Sequence, residues 1–238
     1  MKLEVITTGA QSPSVNMEKD QRLLESLAEN PRPILHLYEW EQPSATYGYF
    51  SNPEKLLNSE SIAFCSLKLA KRPTGGGITF HEFDLAFSLL VPASHPHFSL
   101  NTLANYTLVN SIVAEVLKPY LQAEPLLQQI EKQNQKDPLC NFCMSSVTIY
   151  DVVVEGKKVA GAAQRKTKDG FLHQGSICLQ RPPDKFLEEI FLPGPSFANA
   201  MRECSYPLTS NASAIELANI KQRLREDLTL AFRQRLEG

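Results

Sequence analysis

The stretch KRPTGGGITFHEFDLAFSLL, Lys71–Leu90, decides how this chain is read. It sets three of the protein's 11 glycines side by side, at Gly75, Gly76 and Gly77. Consecutive glycines cost backbone entropy and pack nothing, so a chain that keeps them needs its backbone close to something. Just downstream, Leu85, Phe87, Leu89 and Val91 alternate with smaller or polar residues, the period of a half-buried strand over Asp84–Val91. Upstream, Ala45–Phe50 and Ser61–Leu67 read as strands. The glycine run therefore joins strand to strand. That separates it from the dinucleotide and nucleoside-triphosphate loops, which join strand to helix and have other spacings. Its N–H groups can form an anion-holding nest, and Arg72 adds a fixed positive charge suited to phosphate. The plain alternative is a bulged hairpin turn.

Outward from this stretch the periodicity changes. Met1–Thr7 and Ile34–Trp40 predict strands, with an amphipathic helix at Asn16–Glu29 between them, ended by Pro31 and Pro33. Ser99–Leu117 is the clearest helical pattern, carried by Val109, Ile112, Val113, Val116 and Leu117. Gln122–Pro138 is polar and proline-bounded and reads as a mobile loop. Val147–Val154, Val159–Ala163 and Ser176–Leu179 predict strands, and Ser213–Leu236 a closing helix. Strands fill the middle and helices lie early and late. The expected architecture is a single α+β domain over residues 1–238 with a mixed sheet.

The bulk numbers narrow the function. Across 238 residues the formal net charge is −2, so no whole-protein field draws the chain to nucleic acid or membrane. No apolar run approaches the length of a spanning helix, and MKLEVITTGAQSPS lacks the apolar core of a signal peptide. Cysteines at 65, 140, 143, 178 and 204 are odd in number and scattered, which predicts reduced thiols and a cytoplasmic location. Cys140 and Cys143 are two residues apart, but no second Cys or His pair stands at zinc-site spacing, so no metal is expected.

A second segment, YDVVVEGKKVAGAAQRKTKDGFLHQGSICL from Tyr150 to Leu179, adds chemistry. A hairpin turn at Glu155-Gly156-Lys157 leads into Lys158 and then Ala160, Gly161, Ala162 and Ala163. A lysine beside small residues suits a narrow slot with a cation at its head; a lysine on an exposed strand edge is the plainer reading. RPTGGGITFH, then GKKVAGAAQR, then LHQGSI, in that order, resemble the lipoate-attachment family. That family holds the lipoate-protein ligases, the cysteine octanoyltransferases and, more distantly, the biotin-protein ligases. The resemblance runs from about Leu35 to the closing helix. It implies an α+β fold with a large mixed sheet, a smaller sheet beside it and flanking helices, in which the glycine loop and the lysine strand flank one acyl tunnel. The candidate binding set is then Arg72, Gly75, Gly76, Gly77, Ile78, Thr79, Phe80, His81, Lys158, Gly161, Ala162 and Gly175. Lys158 would hold the acyl carboxylate and adenylate phosphate and serve as the catalytic cation. The implied partners are lipoyl domains of 2-oxoacid dehydrogenases or the glycine cleavage H protein, and acyl carrier protein for a transferase.

The branch marks are divided. Gly77 has the ligase form and tilts the reading to a lipoate-protein ligase that consumes ATP with Mg to make lipoyl-adenylate. Cys143 stands 158 − 143 = 15 residues before Lys158, where the octanoyltransferases carry the cysteine that becomes an acyl thioester. Arg72-Pro73-Thr74 and Tyr150-Asp151 also lean to the transferases. A non-catalytic acyl-binding homologue is a further alternative, and biotin attachment a weaker one, because the biotin loop of that family follows a different glycine-arginine pattern. His81 and His173 read as hydrogen-bonded structural histidines, and His95 and His97 point to no chemistry.

Overall fold

A computed structural model describes residues 1–129, 146–194 and 196–238. Cys140 and Cys143 lie outside the described residues, as does most of the Gln122–Pro138 segment.

β1 (Glu4–Gln11) leads into α1 (Pro13–Ser26), where Ser12 accepts from Val15 N and Pro13 fills the first turn. This cap starts the helix three residues before the expected Asn16, because a serine followed by proline is pre-shaped for a helix start. β2 (Ile34–Trp40) and β3 (Ser44–Tyr47) follow. The strand expected at Ser61–Leu67 is instead α2 (Ser59–Phe64), after which β4 (Lys68–Lys71) begins. Asn58 decides this: its side chain accepts from Glu60 N and Ser61 N, so it caps a helical turn. Then come β5 (Thr79–Phe80), β6 (Asp84–Pro92), α3 (Thr102–Leu117), β7 (Leu126–Leu127), β8 (Val152–Val154), β9 (Lys157–Lys166) and β10 (Gly170–Cys178). Three helices close the chain: α4 (Asp184–Ile190), α5 (Phe197–Cys204) and α6 (Ala214–Glu237). The short α4 and α5 carry no long period and escape a sequence reading. α6 starts on a capping box between Ser213 and Glu216.

Among the described residues the strands form a seven-stranded mixed sheet in the order β1-β2-β6-β10-β9-β8-β7 and a three-stranded sheet in the order β4-β3-β5. β1 runs parallel to β2, and the other pairings of the large sheet are antiparallel. β6 is central and buried at all its positions, not half-buried as its alternation suggests. Leu85, Phe87, Leu89 and Val91 face a core shared with α3 and α6, including Val109, Ile112, Leu228 and Phe232. The other face carries Ala86, Ser88 and Leu90, which meet residues of α1 and β2. Small and polar residues there are not a solvent signal; they leave room for a second layer. The small sheet packs through Ile78 and Phe80 on Phe186, Leu187, Ile190 and Phe191 of the α4 region.

His173 on β10 is fully buried, with Nδ1 at 2.8 Å from Gln164 Nε2. Burial pushes its pKa down to about 3. A histidine freed by unfolding titrates near 6.5. Its contribution to stability is therefore complete above about pH 6.5 and drains away as pH falls toward 3. We expect the free energy of unfolding to fall by up to about 1.4 kcal/mol per pH unit in that window from this group. Urea unfolding of the protein and of His173→Gln at pH 7, 6 and 5 checks this. Equal acid sensitivity in the two proteins contradicts it.

Candidate active site

Two arms meet over β10. The first is the glycine loop between β4 and β5. Arg72 is buried, with only 7% of its surface exposed, and does not reach into solvent. Its Nη2 donates to Gly75 O at 3.1 Å and Gly77 O at 2.6 Å, and its Nη1 to Thr46 Oγ1 at 2.8 Å. Ser51 Oγ donates to Gly76 O at 2.8 Å. All three loop carbonyls are thus engaged by the protein. Gly76 has φ +90°, a conformation that favours glycine. A Cβ on it would sit 3.2 Å from Arg72 Nη2 and 3.8 Å from Ala163 Cβ.

The tightest backbone approach to the loop is at another glycine. A Cβ on Gly75 would meet nothing within 4 Å. A Cβ on Gly48 would fall 2.0 Å from Gly76 O and 2.6 Å from Gly75 C. The loop's backbone therefore lies against the backbone of Gly48, a lone glycine in the sequence that gives no signal. Gly48→Ala should push the loop off its seat, destabilise the fold by about 1–3 kcal/mol and weaken any ligand the loop contacts. Thermal unfolding and calorimetry of the variant measure both effects; an unchanged Tm contradicts the packing argument.

The second arm is β9. Its pairing with β8 passes from Val152↔Ala160 to Val153↔Lys158, leaving Val159 as an extra residue. Such a bulge re-aims side chains, and here it brings Lys158 to the same face as Gly161. A Cβ on Gly161 would overlap Lys158, 2.1 Å from Cε and 2.6 Å from Nζ. Gly161 is small because the lysine lies across it. Lys158 is 3% exposed, and Nζ sits 2.9 Å from Asp151 Oδ2. The edge-lysine alternative is excluded by this burial. The same carboxylate oxygen accepts from Thr148 N at 2.7 Å and Thr148 Oγ1 at 3.0 Å. This turn, with Tyr150 at φ +67°, replaces the first part of the strand expected from Val147. Asp151, which the sequence reading treated only as a branch mark, is thus the buried partner of Lys158.

Between the arms lies a narrow cavity. Arg72, Gly76, Thr79, His81, Gly161 and Ala162 border it, with Gly175 of β10 on the facing wall. Gly175 is a glycine for the core's sake, since a Cβ there would fall 2.4 Å from Phe87 Cζ. Gly75 borders a neighbouring pocket with Tyr49, Phe50 and Arg165. Ile78 and Phe80 turn away into the small-sheet core. Gly77 is buried beside Arg72.

His81 is held rigidly. A carboxylate only accepts, so Nδ1 donates to Asp84 Oδ2 at 2.9 Å. Nε2 lies 2.7 Å from Thr46 Oγ1, and the ring stacks on Trp40 at 4.0 Å between centroids. Burial favours a protonated Asp84, but His81 and the Ser176 hydroxyl outweigh it and hold that pKa below the usual carboxylate range. His81 is thus a structural histidine at the cavity's edge. Cys178 is a poor nucleophile, because burial and then Asp84 push its pKa up to about 12. Cys65 and Cys178 are free thiols. Among the described residues no cluster of His, Cys, Asp or Glu could hold a metal ion, and no helix is long and apolar enough to cross a membrane.

Comparison with known proteins agrees with this arrangement. The family model described as lipoyl protein ligase A/B catalytic domain matches residues 12–228. The chain is 29% identical to octanoyltransferase LipM of Bacillus subtilis, over 98% of this chain and 84% of that one. It is 30% identical to octanoyltransferase LipM of Bacillus cereus, over 95% and 82% of the two chains. Its fold superposes on an archaeal bipartite lipoate protein ligase, solved with its E2 lipoyl domain from Thermoplasma acidophilum, with a TM-score of 0.71. There the identity is 20%, over 100% of this chain and 84% of that one.

Proposed function

The chain belongs to the lipoyl protein ligase A/B catalytic-domain family, and from that premise we propose that it is an octanoyltransferase acting through Cys143. The ligase reading favoured by Gly77 becomes the alternative. The observation that carries the choice is the near full-length match to relatives named octanoyltransferase.

In this reading residues 1–238 form one catalytic domain. The Cys143 thiolate attacks the thioester carbonyl of octanoyl-acyl carrier protein, and the carrier's thiolate leaves. The ε-amine of a lysine on a lipoyl domain then attacks the octanoyl-Cys143 carbonyl, losing a proton as Cys143 leaves as thiolate. Lys158, held by Asp151, is the cation that favours the thiolate. Met17, Trp40, Ala86, Ala162 and Ala163, which also border the cavity, take the acyl chain. With the carbonyls of Gly75, Gly76 and Gly77 engaged by Arg72 and Ser51, the loop offers its N–H groups to the developing oxyanion. The acceptors are lipoyl domains of the 2-oxoacid dehydrogenase or glycine cleavage type.

The test incubates the pure protein with a lipoyl domain, in one arm with octanoyl-acyl carrier protein and no ATP, in the other with lipoate and ATP. Mass spectrometry should find octanoylation in the first arm alone. Modification only in the second returns the ligase reading, and modification in neither leaves a non-catalytic acyl binder.

A further inference from the structure

Asp20 lies one hydrogen bond behind the cavity wall and has no exposed surface. Aspartate is a poor helix former, and a buried carboxylate is costly unless fully hydrogen-bonded, so its place inside α1 calls for a reason. Its Oδ1 accepts from His36 Nδ1 at 2.8 Å. Its Oδ2 accepts from Ser88 Oγ at 2.6 Å and from Gln174 Nε2 at 2.6 Å.

A carboxylate accepts only, so each neighbour must turn a donor toward it. For Gln174 this removes the freedom of the amide. With Nε2 on Asp20, Oε1 faces Thr74, whose hydroxyl donates to it at 2.6 Å. Thr74 is the residue that enters the glycine loop, 100 positions away from Gln174 in sequence. Ser88, its proton committed to Asp20, is left to accept from Tyr38 OH at 3.2 Å. Tyr38 and Gln174 both border the cavity. One carboxylate therefore sets hydrogen-bond direction at the root of the loop and at two points of the wall.

We propose that Asp20 is a positioning residue that holds the Gly75–Gly77 loop through Gln174 and Thr74. Only its kinetic consequence rests on the acyl-transfer reading. Asp20→Asn keeps the shape but can set an N–H group against the donor of Gln174. Relief requires that amide to flip, which breaks the polarity of the link to Thr74. Thr74→Val cuts the same link from the other end while keeping side-chain shape.

Hydrogen exchange of the Tyr49 and Arg72 amides, which tie the two ends of the loop segment through Thr74 O and Tyr47 O, should rise about tenfold in either variant, with the exchange of α3 and α6 unchanged. Octanoyl transfer should fall about ten- to a hundredfold in each, mainly in kcat. The double variant should lose no more than the worse single one, since both cut one relay. Unchanged loop exchange in Thr74→Val overturns the proposal, even if Asp20→Asn fails to fold. Multiplying losses in the double variant overturn it too, leaving Asp20 as core structure. The exchange readout needs no chemistry, so failure of the acyl-transfer reading shows separately, as an unmutated protein that transfers no octanoyl group.

Discussion

On the proposed mechanism, Cys143→Ser should lower ATP-independent octanoyl transfer by about a thousandfold or more. The size follows from the nucleophile. A thiol near a cation is partly ionised at neutral pH, whereas a serine hydroxyl without a general base is not. The three described cysteines offer no substitute for it: Cys178 is buried with its pKa raised to about 12, and neither Cys65 nor Cys204 borders the cavity between the arms. The unmutated protein, quenched after incubation with octanoyl-acyl carrier protein alone, should carry one octanoyl group on Cys143, released by hydroxylamine. Full activity of the serine variant with lipoate and ATP, and no trapped thioester, would return the molecule to the ligases.

Lys158→Ala is expected to remove acyl transfer to a comparable degree, but it disturbs the fold as well. Lys158 and Asp151 are both buried, and deleting the cation strands a carboxylate. Breaking such a pair from one side costs about 3–5 kcal/mol. The two Thr148 bonds to Asp151 soften that cost without cancelling it. Removing the charge from both partners, in Lys158→Ala with Asp151→Asn, should recover much of the lost stability. Activity should not return, because on the proposed mechanism the missing cation is the one that favours the thiolate. Urea unfolding and transfer assays on the two variants separate stability from chemistry. A stable double variant with substantial activity would remove Lys158 from the mechanism.

The sequence by itself determined the α+β class, the central strand Asp84–Val91, the helices at Ser99–Leu117 and Ser213–Leu236, and the two glycine- and lysine-bearing segments. These signals are local: a period of two or of 3.6, a cap, a run of glycines. Each is written within a few residues, so one chain suffices to read it. Errors fell where a local cue was short or ambiguous, as at Asn58, which turned an expected strand into α2.

Tertiary structure decided what the motifs are for. Gly48 carries the close backbone approach that the glycine triplet suggested, because the loop folds back onto it. Gly161 is small to admit Lys158, and Gly175 to admit Phe87, a packing reason that sequence alone did not give for two glycines that also border the cavity. Asp151 meets Lys158 through a turn and a bulge, and Asp20 reaches Thr74 through Gln174 on a strand far along the chain. Contacts of this kind depend on which surfaces the sheet brings together. No periodicity encodes them: Gly48 and the loop, Phe87 and Gly175, or Asp20 and Gln174 lie far apart in sequence, and Lys158 meets its near neighbours Asp151 and Gly161 only through a turn and a bulge that form when the strands align.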